Sequence, residues 1–314
     1  MALTPADPQR ATTCEPGAYV GRFAPSPTGP LHFGSLLAAV ASYAEAKSRG
    51  GRWLLRIEDI DPPREQPGAD QLIIRALEAY GFGWDGPVTY QSSFTPHHEQ
   101  LVEKLLADGA AYPCSCSRRD LADAPRGPLG AIYPGTCRNG CRGNDVAIRI
   151  RTNNEPIEFR DRLQGTRRQR LELESGDFVV RRRDGLIAYH LAVVVDDYDQ
   201  GVTDIVRGID LIDSTPRHIW LQRVLGFPSP RYMHIPVAVN AEGQKLSKLT
   251  GAPGIDTSAP GPVLYRAFDA LRQAPPRELL SASPEVLWRW ALESWNAAPL
   301  SGRTEIAAKD YGYE

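Results

Sequence analysis

The stretch Arg22-Phe-Ala-Pro-Ser-Pro-Thr-Gly-Pro-Leu-His-Phe-Gly-Ser35, RFAPSPTGPLHFGS, packs three prolines, two glycines, an arginine and a histidine into one connection. Prolines freeze φ, and glycines let backbone approach a ligand closely. Upstream, AYVGRF (18–23) reads as a short buried strand. Downstream, Leu36, Leu37, Val40, Tyr43 and Ala44 recur at helical spacing until SRGG stops them, and RWLLRIED then reads as a second strand. Strand, loop, helix, strand is a βαβ unit, so the expected fold is α/β, a Rossmann-type doubly wound parallel sheet. A stiff loop between a parallel strand and a helix N-terminus suits an anion or nucleotide. It is neither a Walker loop nor a G-x-G-x-x-G fingerprint.

The chain has 314 residues, 42 % of them apolar and 24 % charged, which predicts an ordinary soluble globular protein. No apolar run approaches the ~20 residues that span a bilayer, so no membrane partner is expected. Residues 1–18 lack an apolar signal core and read as a leader, which favours the cytoplasm. Net charge is −2, so the whole chain is not a polyanion binder. The arginines are uneven, however. Arg160, Arg162, Arg167, Arg168, Arg170, Arg181, Arg182 and Arg183 crowd one region, which could be a basic face for a polyanion or an ordinary solvated surface.

Further along, GADQLIIRALEAYGF predicts a helix with Leu72, Ile73, Ala76 and Leu77 on one face, ended at Gly81. Another helix is expected from Thr95 as N-cap, with Pro96 in its first turn, to Gly109. The segment over about 111–145 is rich in Gly, Pro, Arg and Cys and reads as an insertion held by something other than an apolar core. Strands are expected in DVAIRIR, PIEFRD and DFVVRRRDGLIAYHLAVVVDD, the last turning at Asp184-Gly185. STPRHIWLQRVLG reads as a capped helix, and RYMHIPVAV as a strand leading into NAEGQKLSKLTGA. From about Thr257 two or three short helices and a polar tail are expected. The body would then span 19–256, followed by a short helical segment over 257–314. Four of the five cysteines, Cys114, Cys116, Cys137 and Cys141, lie in the insertion, and their spacing alone suits tetrahedral zinc. Cys14 reads as a free thiol.

His32-Phe-Gly-Ser35 resembles the HIGH signature of class I aminoacyl-tRNA synthetases, and Lys245-Leu-Ser-Lys248 resembles their KMSKS loop. RFAPSPTGPLHFGSL, LLRIEDID (54–61), AYHLAVVVDD (188–197) and DIVRGIDLI (204–212) are similar to the glutamyl branch of that class. The resemblance runs from Tyr19 to Gly251, with Ser35 replacing the last histidine of the first signature and Leu246 the methionine of the second. It implies ATP-dependent activation of glutamate. His32, Gly34, Lys245 and Lys248 would be the catalytic residues, with His32, Gly34 and Lys248 on ATP and Mg²⁺ accompanying the nucleotide. Positioned cations lower the barrier at a charged five-coordinate phosphorus. The glutamate site carries over onto Arg22, Ala24, Ser26, Glu58, Tyr189 and Arg207. Arg207 could pair a carboxylate, Glu58 an α-ammonium, and a neutral amide would leave the cation uncompensated. Taken alone, Glu58 could equally pair with Arg56.

Sixty-six residues follow Lys248, too few for another sizeable RNA-reading domain. That shortness narrows the resemblance to the glutamyl-Q tRNA(Asp) synthetases. It implies that glutamate is activated without tRNA and passed to the cyclopentene diol of queuosine at the wobble position of tRNA(Asp). It also implies Cys114, Cys116, Tyr133 and Cys137 as zinc ligands, against a set that uses Cys141. A monomer is expected. The rival readings are a truncated glutamyl-tRNA synthetase charging a terminal adenosine, a nucleotidyltransferase of the same superfamily, and a zinc-stapled RNA-binding protein without catalysis.

Overall fold

The computed structural model describes residues 18–247 and 251–313; the expected leader up to residue 17 and Lys248 lie outside them. The chain opens with β1 (Val20–Phe23), α1 (Phe33–Lys47) and β2 (Arg52–Ile57), and β1 and β2 pair in parallel from Val20↔Arg52 to Phe23↔Leu55. Gly51 makes the return possible, because a Cβ there would stand 2.6 Å from the Tyr19 carbonyl oxygen. In α2 (Ala69–Ala79) the buried residues are Ala69, Ile73, Ala76 and Leu77. Leu72, expected on that face, is 46 % exposed, because it sits a ~100° step round the helix from Ile73. β3 (Thr89–Tyr90) adds to β2 in parallel, and α3 (Thr95–Ala107) follows. Thr95 is the first helical residue of α3 and not its cap. A 3₁₀ turn over Gln91–Phe94 feeds straight into the helix, so no extended residue precedes Thr95 to cap it.

The insertion contributes β4 (Ala111–Cys114) and the short hairpin of β5 (Arg126–Gly127) and β6 (Gly130–Ala131). Next come β7 (Ala147–Ile150), β8 (Pro156–Asp161), β9 (Gly165–Arg170), α4 (Leu171–Glu174) and β10 (Val179–Arg181). β7 lies between β4 and β10, antiparallel to both. Asp177 ties this unit together. Its carboxylate accepts from Arg138 Nε at 2.6 Å, from the Thr152 amide at 2.7 Å and hydroxyl at 2.9 Å, and from the Tyr112 hydroxyl. Burial alone would raise its pKa, but the hydrogen bonds from Arg138, Tyr112 and Thr152 hold it below the usual range.

At Asp184-Gly185 the chain turns as expected, with the Arg182 amide bonded to the Leu186 carbonyl at 2.8 Å. The strand expected through AYHLAVVVDD is instead a helix, α5 (Tyr189–Asp199). Leu191 to Asp197 are all buried, so the segment shows no periodicity, and its valines favour a strand locally. Packing against α3 and α6 decides otherwise.

β11 (Asp204–Gly208), α6 (Thr215–Leu225) and β12 (Arg231–Ile235) form the second half of the sheet, β11 and β12 parallel in the order β11-β12-β8-β9. β11 runs beside β1, where the Thr203 amide donates to the Val20 carbonyl at 2.9 Å. Residues of β1 and β2 alternate between two cores. Phe23, Trp53, Leu55 and Ile57 face α1 and the C-terminal helices, and Val20 and Leu54 face α3, α5 and α6. Helices on both faces make the sheet doubly wound. β13 (Val237–Val239), α7 (Pro260–Ala270), α8 (Pro284–Ser294) and β14 (Glu305–Ala307) complete the chain, with β14 parallel to β13. The expected polar tail therefore supplies a strand. It also supplies Tyr313, whose ring stacks on Phe33 at 4.2 Å. Its apolar residues are too few to give a period. Among the described residues, no helix is long and apolar enough to cross a membrane.

Asp177→Ala is expected to lower stability by about 3 kcal/mol, since it leaves Arg138 with Glu172 as its one carboxylate partner and strips the acceptor from the Tyr112 hydroxyl and the Thr152 amide. Denaturant unfolding measures this.

Candidate active site

A cavity of about 720 Å³ lies beyond the C-terminal ends of β1, β2, β11 and β12, where ligands bind in sheets of this topology. Arg22, Ala24, Ser26, His32, Gly34, Glu58, Tyr189, Arg207 and Lys245 all line it. Lys248 is outside the described residues.

The floor is a buried charge network. Asp197 on α5 accepts from Arg22 Nε at 3.0 Å and from an Arg56 terminal nitrogen at 2.8 Å, and Arg56 reaches Glu58 at 3.3 Å. Burial would raise the Asp197 pKa, yet Arg22 and Arg56 hold it below the ordinary range. Glu58 has less help. Burial pushes its carboxyl up, and the Arg56 and Arg22 charges only partly offset that.

Arg207 is treated differently. It is buried on β11, and its partners are all neutral: His234 Nε2 at 3.0 Å, His218 Nδ1 at 3.2 Å, Thr215 Oγ1 at 2.8 Å and the Leu211 carbonyl at 3.2 Å. Asp161 sets the tautomer. Its carboxylate accepts from His234 Nδ1–H at 2.6 Å, leaving Nε2 to accept from Arg207. Burial and the Arg207 charge push His234 down to about 4 against the pull of Asp161, so the imidazole is neutral near pH 7. Among the described residues no carboxylate forms an ion pair with Arg207. Its guanidinium is thus oriented but not neutralised.

At the other side, His32 is the N-cap of α1, its Nδ1 accepting from the Ser35 amide at 3.3 Å. Any side chain at Gly34 would press on that ring, since a Cβ would lie 3.2 Å from it. Lys245 bridges back to Val239 at the base of a tight hairpin, and its Nζ meets Asp210 at 2.5 Å. The cavity therefore offers a helix N-terminus and a lysine at one end, and a guanidinium and a carboxylate at the other.

In the insertion, the sulfurs of Cys114, Cys116 and Cys137 lie within 4.8 Å of one another. The Tyr133 hydroxyl is 3.3 Å from the Cys114 sulfur and 3.6 Å from that of Cys116. Cys141 is outside this group. Three soft donors converging on one point could hold a metal ion. Gly176 lets Tyr133 in. Its φ is +68°, and a Cβ there would stand 2.4 Å from the Tyr133 amide nitrogen.

Asp161, His218, His234, Thr215 and Asp210 were not singled out from the sequence. Asp161 and Asp210 meet His234 and Lys245 from distant parts of the chain, and Thr215 and His218 reach Arg207 only across the turn between β11 and α6, so no regular spacing marks them. The paired acids closing the apolar run VVVDD are the one available signal, and they mark Asp196 and Asp197 as buried charges.

Residues 19–259 match the family model for the catalytic domain of class I tRNA synthetases (E and Q). A protein from Ectopseudomonas mendocina named glutamyl-Q tRNA(Asp) synthetase is 53 % identical over 281 residues, covering 89 % of this chain and 94 % of that one. One of the same name from Thiobacillus denitrificans is 51 % identical over 284 residues, 90 % of this chain and 94 % of that one. The crystal structure of a glutamate tRNA ligase from Elizabethkingia meningosepticum in complex with its amino acid superposes with a TM-score of 0.78 at 23 % identity. It covers 94 % of this chain and 68 % of that one, a likeness of fold. With the matched catalytic domain and relatives at this identity along nearly their whole length, the chain belongs to the glutamyl-Q tRNA(Asp) synthetase family of class I synthetases.

Proposed function

We propose that this cavity joins glutamate to ATP without RNA and that the protein then passes glutamate to the queuosine of tRNA(Asp), acting in the cytoplasm. The observation that carries the reading is Arg207, a buried guanidinium held by neutral groups at the end of a cavity that also contains Glu58. A side-chain carboxylate of glutamate would supply the missing anion, with Arg22 and the Tyr189 hydroxyl beside it. Glutamine would leave the cation uncompensated. Glu58 would take the α-ammonium, and Ala24 and Ser26 would shape the loop against the backbone of the substrate. The α-carboxylate then attacks the α-phosphorus of ATP, and pyrophosphate leaves. His32, the amides at the start of α1 and Lys245 would stabilise the charge developing on the phosphates, Lys245 exchanging Asp210 for phosphate. Lys248 is proposed to share that task. Mg²⁺ would travel with ATP. The names of the relatives support queuosine over a terminal adenosine as acceptor.

For the metal we propose zinc, held by Cys114, Cys116, Tyr133 and Cys137. When bound, it neutralises the thiolates and staples an insertion whose own apolar cluster is small.

Glutamate-dependent pyrophosphate exchange into ATP should proceed without RNA. Labelled glutamate should attach to queuosine-containing tRNA(Asp) and survive removal of its 3′-terminal adenosine; loss of label on that treatment points to the ordinary synthetase. The KM for glutamate in exchange should rise as pH falls, beginning above the ~4.3 of an ordinary glutamate, because the raised Glu58 must be ionised to hold the ammonium. Glu58→Gln should raise KM at neutral pH and flatten that profile. Elemental analysis should find about one zinc per chain. Cys137→Ser should lose the zinc, Tyr133→Phe should bind it about tenfold more weakly, and Cys141→Ser should keep it. Zinc lost from Cys141→Ser but kept by Tyr133→Phe rejects this ligand set.

A further inference from the structure

A second cavity, of about 730 Å³, adjoins the first, and Asp61 and Arg64 line both. It lies between the insertion, β10 and the start of α6. Its two carboxylates are engaged: Asp61 with Arg64 and Arg182, and Asp177 with Arg138, Tyr112 and Thr152. Of the arginines around it, Arg118 and Arg217 form no ion pair among the described residues, and Arg149 donates to the Cys114 sulfur at 3.3 Å and the Asp177 carbonyl at 2.8 Å. Arg217 is the most enclosed of these. Its Nε donates to Ser175 Oγ at 2.7 Å, its guanidinium lies over the Phe178 ring at 5.2 Å, and a terminal nitrogen is 3.2 Å from His190 Nε2. Burial, with the Arg149 charge, pushes its pKa down to about 10.

The His190 contact cannot be a hydrogen bond if the rest of its chain is satisfied. Arg207 donates to His218 Nδ1, so a neutral His218 carries its hydrogen on Nε2, which faces His190 Nδ1 at 3.1 Å. His190 Nδ1 must then accept, and its hydrogen sits on Nε2, pointing at the Arg217 donor. Each end of the chain is a guanidinium and each imidazole has one hydrogen, so one contact is always donor against donor. Arg207 is fixed by Thr215, Leu211 and the Asp161-oriented His234, so the mismatch falls on one of the two contacts of His190, and an acceptor in the cavity removes it by taking the Nε2 hydrogen and the Arg217 donor together. Two donors side by side, with no anion, call for a shared acceptor.

We propose that a phosphodiester of the acceptor RNA, next to the nucleotide that receives glutamate, sits in this second cavity. Its oxygens accept from Arg217 and His190 Nε2, with Arg149 and Arg118 supplying further positive charge. This rests on the proposed function for its choice of RNA. A phosphate held there would anchor the strand while the modified base reaches the neighbouring site through the Asp61–Arg64 boundary.

The test uses the full chain and queuosine-containing tRNA(Asp). Arg217→Gln is expected to raise the KM for RNA about tenfold and to reduce the slope of log affinity against log salt by about 0.7, as for one lost phosphate contact. RNA-free pyrophosphate exchange reports whether the variant is intact, and Arg217→Lys should restore the salt slope. An unchanged RNA KM and slope overturns the proposal, as does an equal loss of exchange and transfer that lysine does not repair. Should the wild type fail to label this RNA, the acceptor is wrong. The salt slope of tRNA binding, compared between wild type and the two variants, still decides the phosphate contact.

Discussion

The carboxylate of Asp197 is the constraint around which the site is organised. It is buried, and it holds Arg22 from β1 and Arg56 from β2 at once, so α5 is fastened to two adjacent parallel strands by charge-assisted bonds. Its neighbour Asp196 is tied to His98 at 2.6 Å and Gln91 at 2.7 Å, which brings α3 and its preceding turn into the same network. Networks of this kind are poor sources of net stability, because taking the ions out of water costs about what their attraction returns. What they supply is uniqueness of position. Losing one partner leaves a buried charge exposed to its full desolvation penalty.

The site handles Arg22 and Arg207 in opposite ways. Arg22 is neutralised by Asp197. Arg207 is surrounded by neutral acceptors whose orientation is set from behind, by Asp161 through His234. An internal carboxylate at that position would satisfy Arg207 and would compete with any anionic ligand. The neutral imidazoles keep the guanidinium aimed without cancelling its charge, and their depressed pKa values keep them neutral where the protein works.

Much of this architecture could be read from local sequence. The Pro/Gly loop, the strand before it and the alanine-rich helix after it announce the first βαβ unit, and the two signature strings place the cavity between loops 213 residues apart. Three features could not be read. α5 is buried all round, so its valines gave no helical period. β9, GTRRQR, is almost wholly exposed and shows no alternation; it exists because β8 pairs with it in register from Pro156↔Arg170 to Asp161↔Gly165. The residues that orient Arg207 come from β8, α6 and β12, and only the folded sheet brings them together. The tyrosine beside the three cysteines was suggested by family resemblance, whereas spacing alone favoured Cys141.

β14 pairs with β13, the strand whose hairpin carries Lys245, and Tyr313 stacks beneath Phe33 in the first signature. Both signature loops thus rest on chain that arrives some sixty to three hundred residues away from them. Closing contacts of that sequence separation costs chain entropy that the rest of the fold must offset. The cleft therefore takes its shape only where these distant segments have docked, and its geometry is tied to the whole fold and not to the first βαβ unit alone.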